Sequence, residues 1–210
     1  QSSIIGIMAI GTSFVILTGE IDISVGSVLA LTAAVVLGLQ KTIAWPFAVV
    51  VALLVGLAIG LVNGVFASKI KVVGIITTLG TMTIVRGLTY LYTGGYPILG
   101  ASESFKFIGS GYVGIMPFPI ILFIAMVAVW QFVMSKTPTG RYICAVGGNK
   151  EAARLSGIKV DRYHALAFGI GGLMAAMSGI VYASRLNSAT PIAGQGYELD
   201  AIAATVIGGT

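Results

Sequence analysis

The chain has 210 residues, of which 57% are hydrophobic and only 9% are charged. Soluble domains carry about 25% charged residues, so the composition excludes a water-soluble globular protein. Uninterrupted apolar runs such as residues 46–67 predict transmembrane helices rather than a β-barrel, whose strands alternate polar and apolar residues. The single cysteine, Cys144, excludes a disulfide framework and a cysteine-based metal site, and the net charge of +5 does not predict nucleic-acid binding, because half of the basic residues fall in one loop.

We therefore expect an all-α, polytopic helix bundle forming a single transmembrane domain over residues 1–210. Hydrophobic runs of about 20 residues are long enough to cross the hydrocarbon core. Six apolar segments are present, and a seventh begins near residue 198; the six fall at about 3–18, 24–40, 45–67, 72–93, 115–135 and 163–184. The sequence starts without Met and stops inside a Gly-rich run, so we expect an internal fragment of a longer protein.

An acidic interruption separates the first two segments, within residues 19–27 (GEIDISVGS). A carboxylate inside a bilayer is unfavourable by at least a few kcal/mol and normally faces a cavity or a partner. Two interpretations stay open: an ordinary short loop with Ser24 as a helix N-cap, or a broken helix that lines a transport path. On the second interpretation the path residues are Glu20, Asp22, Ser24 and Ser27, together with Glu198 and Asp200 near the end of the chain.

Two of the predicted helices carry small residues at four-residue spacing: Gly56, Gly60 and Gly64 on one, and Gly171, Ala175 and Gly179 on the other. In lipid, such strips let helix backbones approach closely. We expect them to serve packing within the bundle.

The distribution of Lys and Arg predicts the orientation. Cytoplasmic loops are enriched in these residues, so residues 136–162 are expected on the cytoplasmic side and residues 94–114 outside. The short turn at 68–71, which contains two lysines, then falls on the cytoplasmic side as well. We therefore expect a multi-pass membrane protein whose loop at 136–162 is cytoplasmic.

The basic loop at 136–162 contains the signals of one short helix. Asn149 is a good N-cap, Glu151 lies in the first turn, and Gly157 follows the last turn. Seven or eight residues are too few to form a stable helix alone in water, so something must pack against them. Apolar Ala152, Ala153 and Leu155 suit a groove on a soluble partner.

Other candidates carry weaker signals. The only histidine, His164, has no second histidine at metal-ligand spacing, and we expect an interfacial residue rather than a catalytic base or metal ligand. We expect Cys144 to be a packing residue. Glu198 and Asp200 repeat the spacing of Glu20 and Asp22, which is either the trace of an internal repeat or a coincidence.

Several stretches resemble a known family. The sequence EAARLSG (151–157) is similar to the EAA-x-x-x-G loop of ABC importer permeases. GEIDISVGS, RGLTYLYTGG, TPTGRYICAVGGNKEAARLSGI and LNSATPIAGQGYELDAIAATVIGGT together resemble ribose-type monosaccharide permeases, in order and over essentially all 210 residues. The Ile-x-Leu-Pro that extends the loop motif in other permeases is missing after Gly157, as it generally is in ribose-type members.

The resemblance implies a transport subunit without catalytic or metal-binding residues of its own, located in the bacterial cytoplasmic (inner) membrane. It also implies a complete permease of roughly ten spans, of which this chain is a part. It implies three protein partners: a separate ATPase that binds ATP and Mg, an extracytoplasmic sugar-binding protein, and a second permease copy. No Gly-x-x-x-x-Gly-Lys-Ser/Thr phosphate loop occurs in the chain, which agrees with nucleotide binding on another polypeptide. The residues expected to contact the ATPase are Gly148, Asn149, Glu151, Ala152, Ala153, Arg154 and Gly157.

An ion-coupled secondary transporter or channel for a small polar solute is the alternative, because it would share the helices and the acidic interruption. It has no need of a docking helix, and the loop at 136–162 therefore favours the importer. For the solute, the expectation is a monosaccharide. Polar and aromatic residues near the expected helix ends are Asn63, Tyr90, Tyr92, Tyr96, Asn187 and Gln195, and nothing in the sequence selects among them.

Overall fold

The computed structural model describes residues 2–70, 72–100 and 102–210. This part of the chain forms ten helices: α1 (Ser2–Leu17), α2 (Val25–Leu39), α3 (Trp45–Lys69), α4 (Gly74–Thr93), α5 (Glu103–Ser110), α6 (Phe118–Lys136), α7 (Pro138–Gly148), α8 (Lys150–Leu155), α9 (Val160–Leu186) and α10 (Tyr197–Ile207). Four two-residue strands form two antiparallel pairs: β1 (Ile98–Leu99) with β4 (Ser188–Ala189), and β2 (Tyr112–Val113) with β3 (Met116–Pro117). The expected all-α bundle is confirmed.

Helix α9 lies at the centre of the bundle, and α1, α2 and α3 pack around it. Helix α1 runs antiparallel to α9: near its start the Ile4 carbonyl accepts a hydrogen bond from Ser178, and just beyond its end Glu20 comes within 4.0 Å of His164. Helix α2 begins beside the middle of α9 and ends near its C-terminus. The interruption at residues 18–24 therefore folds back into the protein interior before α2 starts.

The two small-residue strips both serve packing, as expected, but at different interfaces. A Cβ on Gly56 would lie 2.5 Å from the Gly172 carbonyl oxygen, and a Cβ on Gly64 would lie 2.5 Å from Ala165 Cα, so α3 and α9 pack backbone to backbone. The strip on α9 faces other helices. Gly171 contacts α1, and Gly179 contacts Leu29 and Thr32 of α2.

The predicted apolar segments all contain helices, with ends within about three residues of the expected ones. Among the described residues, three helices are long and apolar enough to cross a membrane on their own: α3, α6 and α9. Helices α1 and α2 are shorter, at 16 and 15 residues, because the interruption separates them.

Two short helices were not predicted. Helix α5 lies in the loop expected outside, where Ser102 caps it by accepting from the Phe105 N–H. Helix α7 precedes α8, so the basic loop holds two helices rather than one. The expectation that Cys144 is a packing residue was wrong: α7 buries Ile143 and Val146, and Cys144 lies on its exposed face.

Candidate functional site

Polar side chains of three helices meet inside the bundle at the interruption before α2. Asp22 Oδ1 accepts from the Ser24 N–H at 2.8 Å and from the Ser24 hydroxyl at 2.6 Å. Asn63 of α3 donates to Ser24 Oγ at 3.0 Å and accepts from the Thr81 hydroxyl of α4 at 2.6 Å. Ser27 is fully buried and donates to the Ser24 carbonyl. A chain of hydrogen bonds thus joins α2, α3 and α4.

The structure places the four predicted path residues of the interruption, Glu20, Asp22, Ser24 and Ser27, in two settings. Asp22, Ser24 and Ser27 are all at most 1% exposed, and the side chain of Ser24 does not form the expected N-cap bond. Glu20 lies at the end of the molecule that carries the basic loop. Whether these residues line a path during transport stays a prediction.

Glu20 connects three parts of the chain at that end. Its Oε1 lies 3.1 Å from Lys150 Nζ of α8 and 4.0 Å from His164 Nε2. Its Oε2 accepts a hydrogen bond from the N–H of Gly74, the first residue of α4, at 2.9 Å. A carboxylate in this position satisfies a free N–H and interacts favourably with the positive end of the helix dipole. His164 is 3% exposed, so it lies inside the protein rather than at the expected interface.

The predicted helix of the basic loop is present as α8, flanked by the predicted signals. Asn149 Oδ1 accepts from the Ala152 N–H at 3.0 Å, and Gly157 has a φ of +80°, a conformation that glycine adopts without steric penalty. Glu151 pairs with Arg154 at 2.9 Å on the exposed surface. The helix is six residues long, slightly shorter than expected.

The faces of α8 divide its apolar residues. Ala153 is 4% exposed and packs against Val146 and Val160, so it holds the helix to the protein instead of facing a partner. Ala152 is exposed, and Leu155 is 88% exposed. The outer face therefore offers one large apolar side chain beside the Glu151–Arg154 pair.

Basic residues surround a cavity of about 700 Å³ next to α8. Lys69 at the end of α3 shares its lining with Arg154, Lys159 and Arg162 of the loop region. The turn after α3 and the loop at 136–162 therefore lie at the same end of the molecule, as the charge distribution predicts. A second cavity, of about 460 Å³, lies between Glu20, Asp161, His164 and the Lys150 side of α8.

A third cavity, of about 300 Å³, opens where α4 meets the turn before α10. Its polar lining consists of Thr83, Arg86, Tyr90, Gln195 and Glu198. Arg86 Nη1 donates to the Pro191 carbonyl at 2.7 Å and to the Ala193 carbonyl at 2.8 Å. Glu198 Oε1 accepts from the Gly196 N–H at 3.1 Å, and its other oxygen lies against Gly26 at the start of α2.

Sequence reasoning missed Arg86, although a signal was present: a charged residue inside an apolar segment marks a functional site by default.

The structure places the suggested solute-contact residues in separate parts of the molecule. Tyr90 and Gln195 line the third cavity, Asn63 is buried in the polar network, and Asn187 ends α9 with a φ of 50°.

The two Glu-x-Asp pairs lie in segments of different secondary structure. Glu20 and Asp22 lie in the extended segment before α2, whereas Glu198 and Asp200 lie in the first turn of α10. Both helices nevertheless begin at the same place, since a Cβ at Gly26 would collide with Glu198 and with the Gly194 carbonyl. Among the residues that the structure describes, no group of three or more His, Cys, Asp or Glu side chains is placed to hold a metal ion.

Comparison with known proteins gives matches along the whole chain. A family model described as "Branched-chain amino acid transport system / permease component" matches residues 1–210. The ribose import permease protein RbsC of Haemophilus influenzae is 46% identical over 100% of this chain and 67% of its own length; RbsC of Bacillus subtilis is 46% identical over 100% and 66%. The L-arabinose transport system permease protein AraH of Escherichia coli is 41% identical over 99% and 63%.

The chain thus spans about two thirds of the length of these curated relatives. No solved structure matches it.

Proposed function

We propose that this chain, which belongs to the family of branched-chain amino acid transport system permease components, is the membrane subunit of an ATP-driven importer for a monosaccharide. The observation that carries the proposal is the similarity to ribose import permeases over the whole chain, at 46% identity. A ribose-like pentose is the substrate class that this similarity favours, and the 41% identity to an L-arabinose permease points to the same class.

In this proposal the subunit itself catalyses no reaction. ATP and Mg bind to a partner ATPase on the cytoplasmic side, a sugar-binding protein delivers the solute from outside the cytoplasmic membrane, and a second permease copy completes the path. The three apolar helices α3, α6 and α9 anchor the chain in the bilayer.

Helix α8 is the surface that we assign to the ATPase. Leu155 projects from it almost fully exposed, between the exposed pair Glu151–Arg154 and Gly157. An exposed apolar anchor next to charged groups suits a groove on a soluble protein. The inner side of α8 packs against the bundle through Ala153. A displacement of α8 by the ATPase would therefore also displace the residues that Ala153 contacts.

The docking proposal is tested by crosslinking in the full-length protein, co-expressed with its neighbouring genes and purified in mild detergent. A cysteine at Leu155, in a transporter whose exposed Cys144 has been replaced, should crosslink to a nucleotide-binding subunit. The matched control is a cysteine at Leu99, which is 66% exposed at the opposite end of α9 and should give no such product. A crosslink from both positions, or from neither, would contradict docking on α8.

The transport proposal is tested in proteoliposomes that contain the full transporter and its sugar-binding protein. Radiolabelled ribose should accumulate only when ATP is present on the ATPase side. The variant Gly157→Pro, which forbids the positive φ after α8, should reduce uptake at least tenfold while ATP hydrolysis continues. Accumulation driven by a proton or sodium gradient without ATP would instead establish the secondary-transporter alternative.

A further inference from the structure

The cavity between α4 and the turn before α10 has an arrangement that packing alone does not require. Arg86 enters it from α4 with its guanidinium held by two carbonyls of the turn at 190–197. A guanidinium has five N–H donors, and only those of Nη1 have a hydrogen-bond partner among the described residues. The remaining donors are thus fixed in orientation but free to bind something else.

The charge of Arg86 is balanced within the same cavity. Glu198 lines it, yet the two side chains form no ion pair within the described part of the chain, because the carboxylate is turned toward Gly196 and Gly26. The lining also includes neutral polar groups, the Gln195 amide and the Thr83 and Tyr90 hydroxyls. The result is a nearly neutral cavity with many hydrogen-bonding groups.

This face of α4 is unsuited to lipid. A charged side chain facing hydrocarbon is unfavourable by several kcal/mol, and such residues normally face a water-filled cavity or a partner. The other exposed face of the same helix is apolar, with Ile84 65% and Leu91 81% exposed. The Thr83–Arg86–Tyr90 side of α4 is therefore better suited to a water-filled cavity than to lipid.

We propose that this cavity is a contact site for the hydroxyl groups of the sugar as it crosses the membrane, an inference that rests on the transport function proposed above. Each sugar hydroxyl both donates and accepts, so fixed guanidinium donors next to amide and hydroxyl groups can bind adjacent hydroxyls together. Because the charges of Arg86 and Glu198 offset each other, the cavity favours a neutral polyol over an anion. Its volume of about 300 Å³ is at the lower end of the range for small-molecule sites.

The first part of the test asks whether the cavity is aqueous. In the full transporter, with Cys144 and other reactive cysteines replaced, Thr83→Cys and Gln195→Cys should react with a charged, water-soluble methanethiosulfonate. Ile84→Cys is the matched control, since it adjoins Thr83 on α4 but faces the apolar side. Saturating ribose together with the binding protein and ATP should slow the reaction at both cavity positions.

The second part asks whether the cavity recognises the sugar. Gln195→Ala removes hydrogen-bonding groups and should lower ribose uptake about 3- to 10-fold, with a smaller effect on 2-deoxyribose, so the ratio of the two rates changes. Leu199→Ala, an exposed position on the next turn that does not line the cavity, should leave both rates unchanged. A general loss of folding would lower both rates equally and leave the ratio intact.

The outcomes separate this inference from the transport proposal. If the unmodified transporter takes up ribose with ATP, but Thr83→Cys is as unreactive as Ile84→Cys or the rate ratio does not move, the cavity assignment is overturned and the transport function stands. If the unmodified transporter takes up no monosaccharide with ATP, the transport function is overturned and the cavity assignment falls with it.

Discussion

Glu20 connects the basic loop to the start of α4, in addition to the apolar contacts of Ile143, Val146 and Ala153 that hold the loop to the bundle. One oxygen meets Lys150 of α8 at 3.1 Å, and the other accepts from Gly74 at the start of α4 at 2.9 Å. Helix α4 in turn carries Arg86 into the cavity near α10. If α8 moves with the ATPase, this carboxylate is a direct connection between that movement and α4.

We predict that Glu20→Ala lowers uptake more than Glu20→Gln. The amide oxygen of Gln can still accept from the Gly74 N–H, so Gln loses only the negative charge that pairs with Lys150, whose side chain is 45% exposed. An ion pair with an exposed partner typically contributes about 1 kcal/mol or less. Alanine also leaves the Gly74 N–H without its acceptor, a further loss of about 1–3 kcal/mol if no water replaces it. Uptake and ATP hydrolysis measured together in proteoliposomes check the order.

The control for this prediction is Glu103→Ala, which removes an exposed glutamate paired with Lys106 on α5 and should change neither rate. Equal uptake by Glu20→Ala and the unmodified protein would show that the carboxylate transmits nothing. A parallel fall of uptake and ATP hydrolysis would point to lost assembly instead of lost coupling.

For individual residues, the sequence pattern identified Glu20 and Asp22 as one acidic interruption, but it did not predict that the two side chains have different partners. They stand two residues apart, yet one reaches the loop helix and the other is buried against Ser24. The direction in which an interruption folds depends on the helices around it. Asn63 and Thr81, which extend the Asp22 network, lie 39 or more residues further along the chain, beyond the reach of local patterns.

Among the secondary-structure elements, the contact between α3 and α9 depends most on the absence of side chains. A Cβ at Gly60 would collide with the Phe168 carbonyl oxygen and lie 3.1 Å from Gly169 Cα. Both neighbours are backbone, so neither can rotate aside. The helices would have to separate along their length.

We predict that Gly60→Ala lowers the thermal unfolding midpoint in detergent. Forcing a methyl group into a close-packed contact typically destabilises by about 1–3 kcal/mol. The matched control is Gly80→Ala on α4, where a Cβ has no neighbour within 4 Å; it should be neutral or stabilise by up to about 1 kcal/mol, since alanine favours a helix. Similar midpoints for the two variants would contradict the α3–α9 contact.

The elements themselves were largely predictable because long apolar segments determine their own helices. The exceptions were short. Helix α5 has eight residues and α7 has eleven, and both mix polar and apolar residues in loops where length gives no guidance. Helix α8 was predictable despite its six residues, because Asn149 and Gly157 mark its two ends. Which helix each small-residue strip would contact was not predictable, since spacing identifies a strip but not its partner.

For the whole molecule, the two ends of α9 carry different surfaces: basic residues gather at the N-terminal end, and helix α5 covers the C-terminal end. Lys69, Arg154, Lys159 and Arg162 gather around one cavity at the N-terminal end of α9. At the other end, α5 packs through Gly109, whose N–H donates to Ser184 at 2.7 Å. Helix α9 is 27 residues long, or about 40 Å at the helical rise of about 1.5 Å per residue, which is enough to place the two surfaces on opposite sides of a bilayer.

The basic residues also predict the orientation of the protein in the membrane, and α8 can meet a cytoplasmic ATPase only in that orientation. We predict that Lys159→Cys, with the exposed Cys144 replaced, reacts with a membrane-impermeant maleimide only after the cytoplasmic membrane is opened, because basic loops stay on the cytoplasmic side. Glu103→Cys, at a position with an 86% exposed side chain, should react in intact spheroplasts. Each variant is the other's control, since both side chains are exposed and only the side of the membrane differs. The reverse pattern would place α8 outside the cell, where no ATP is available to drive it, and the importer proposal would then fail whatever the similarity to ribose permeases.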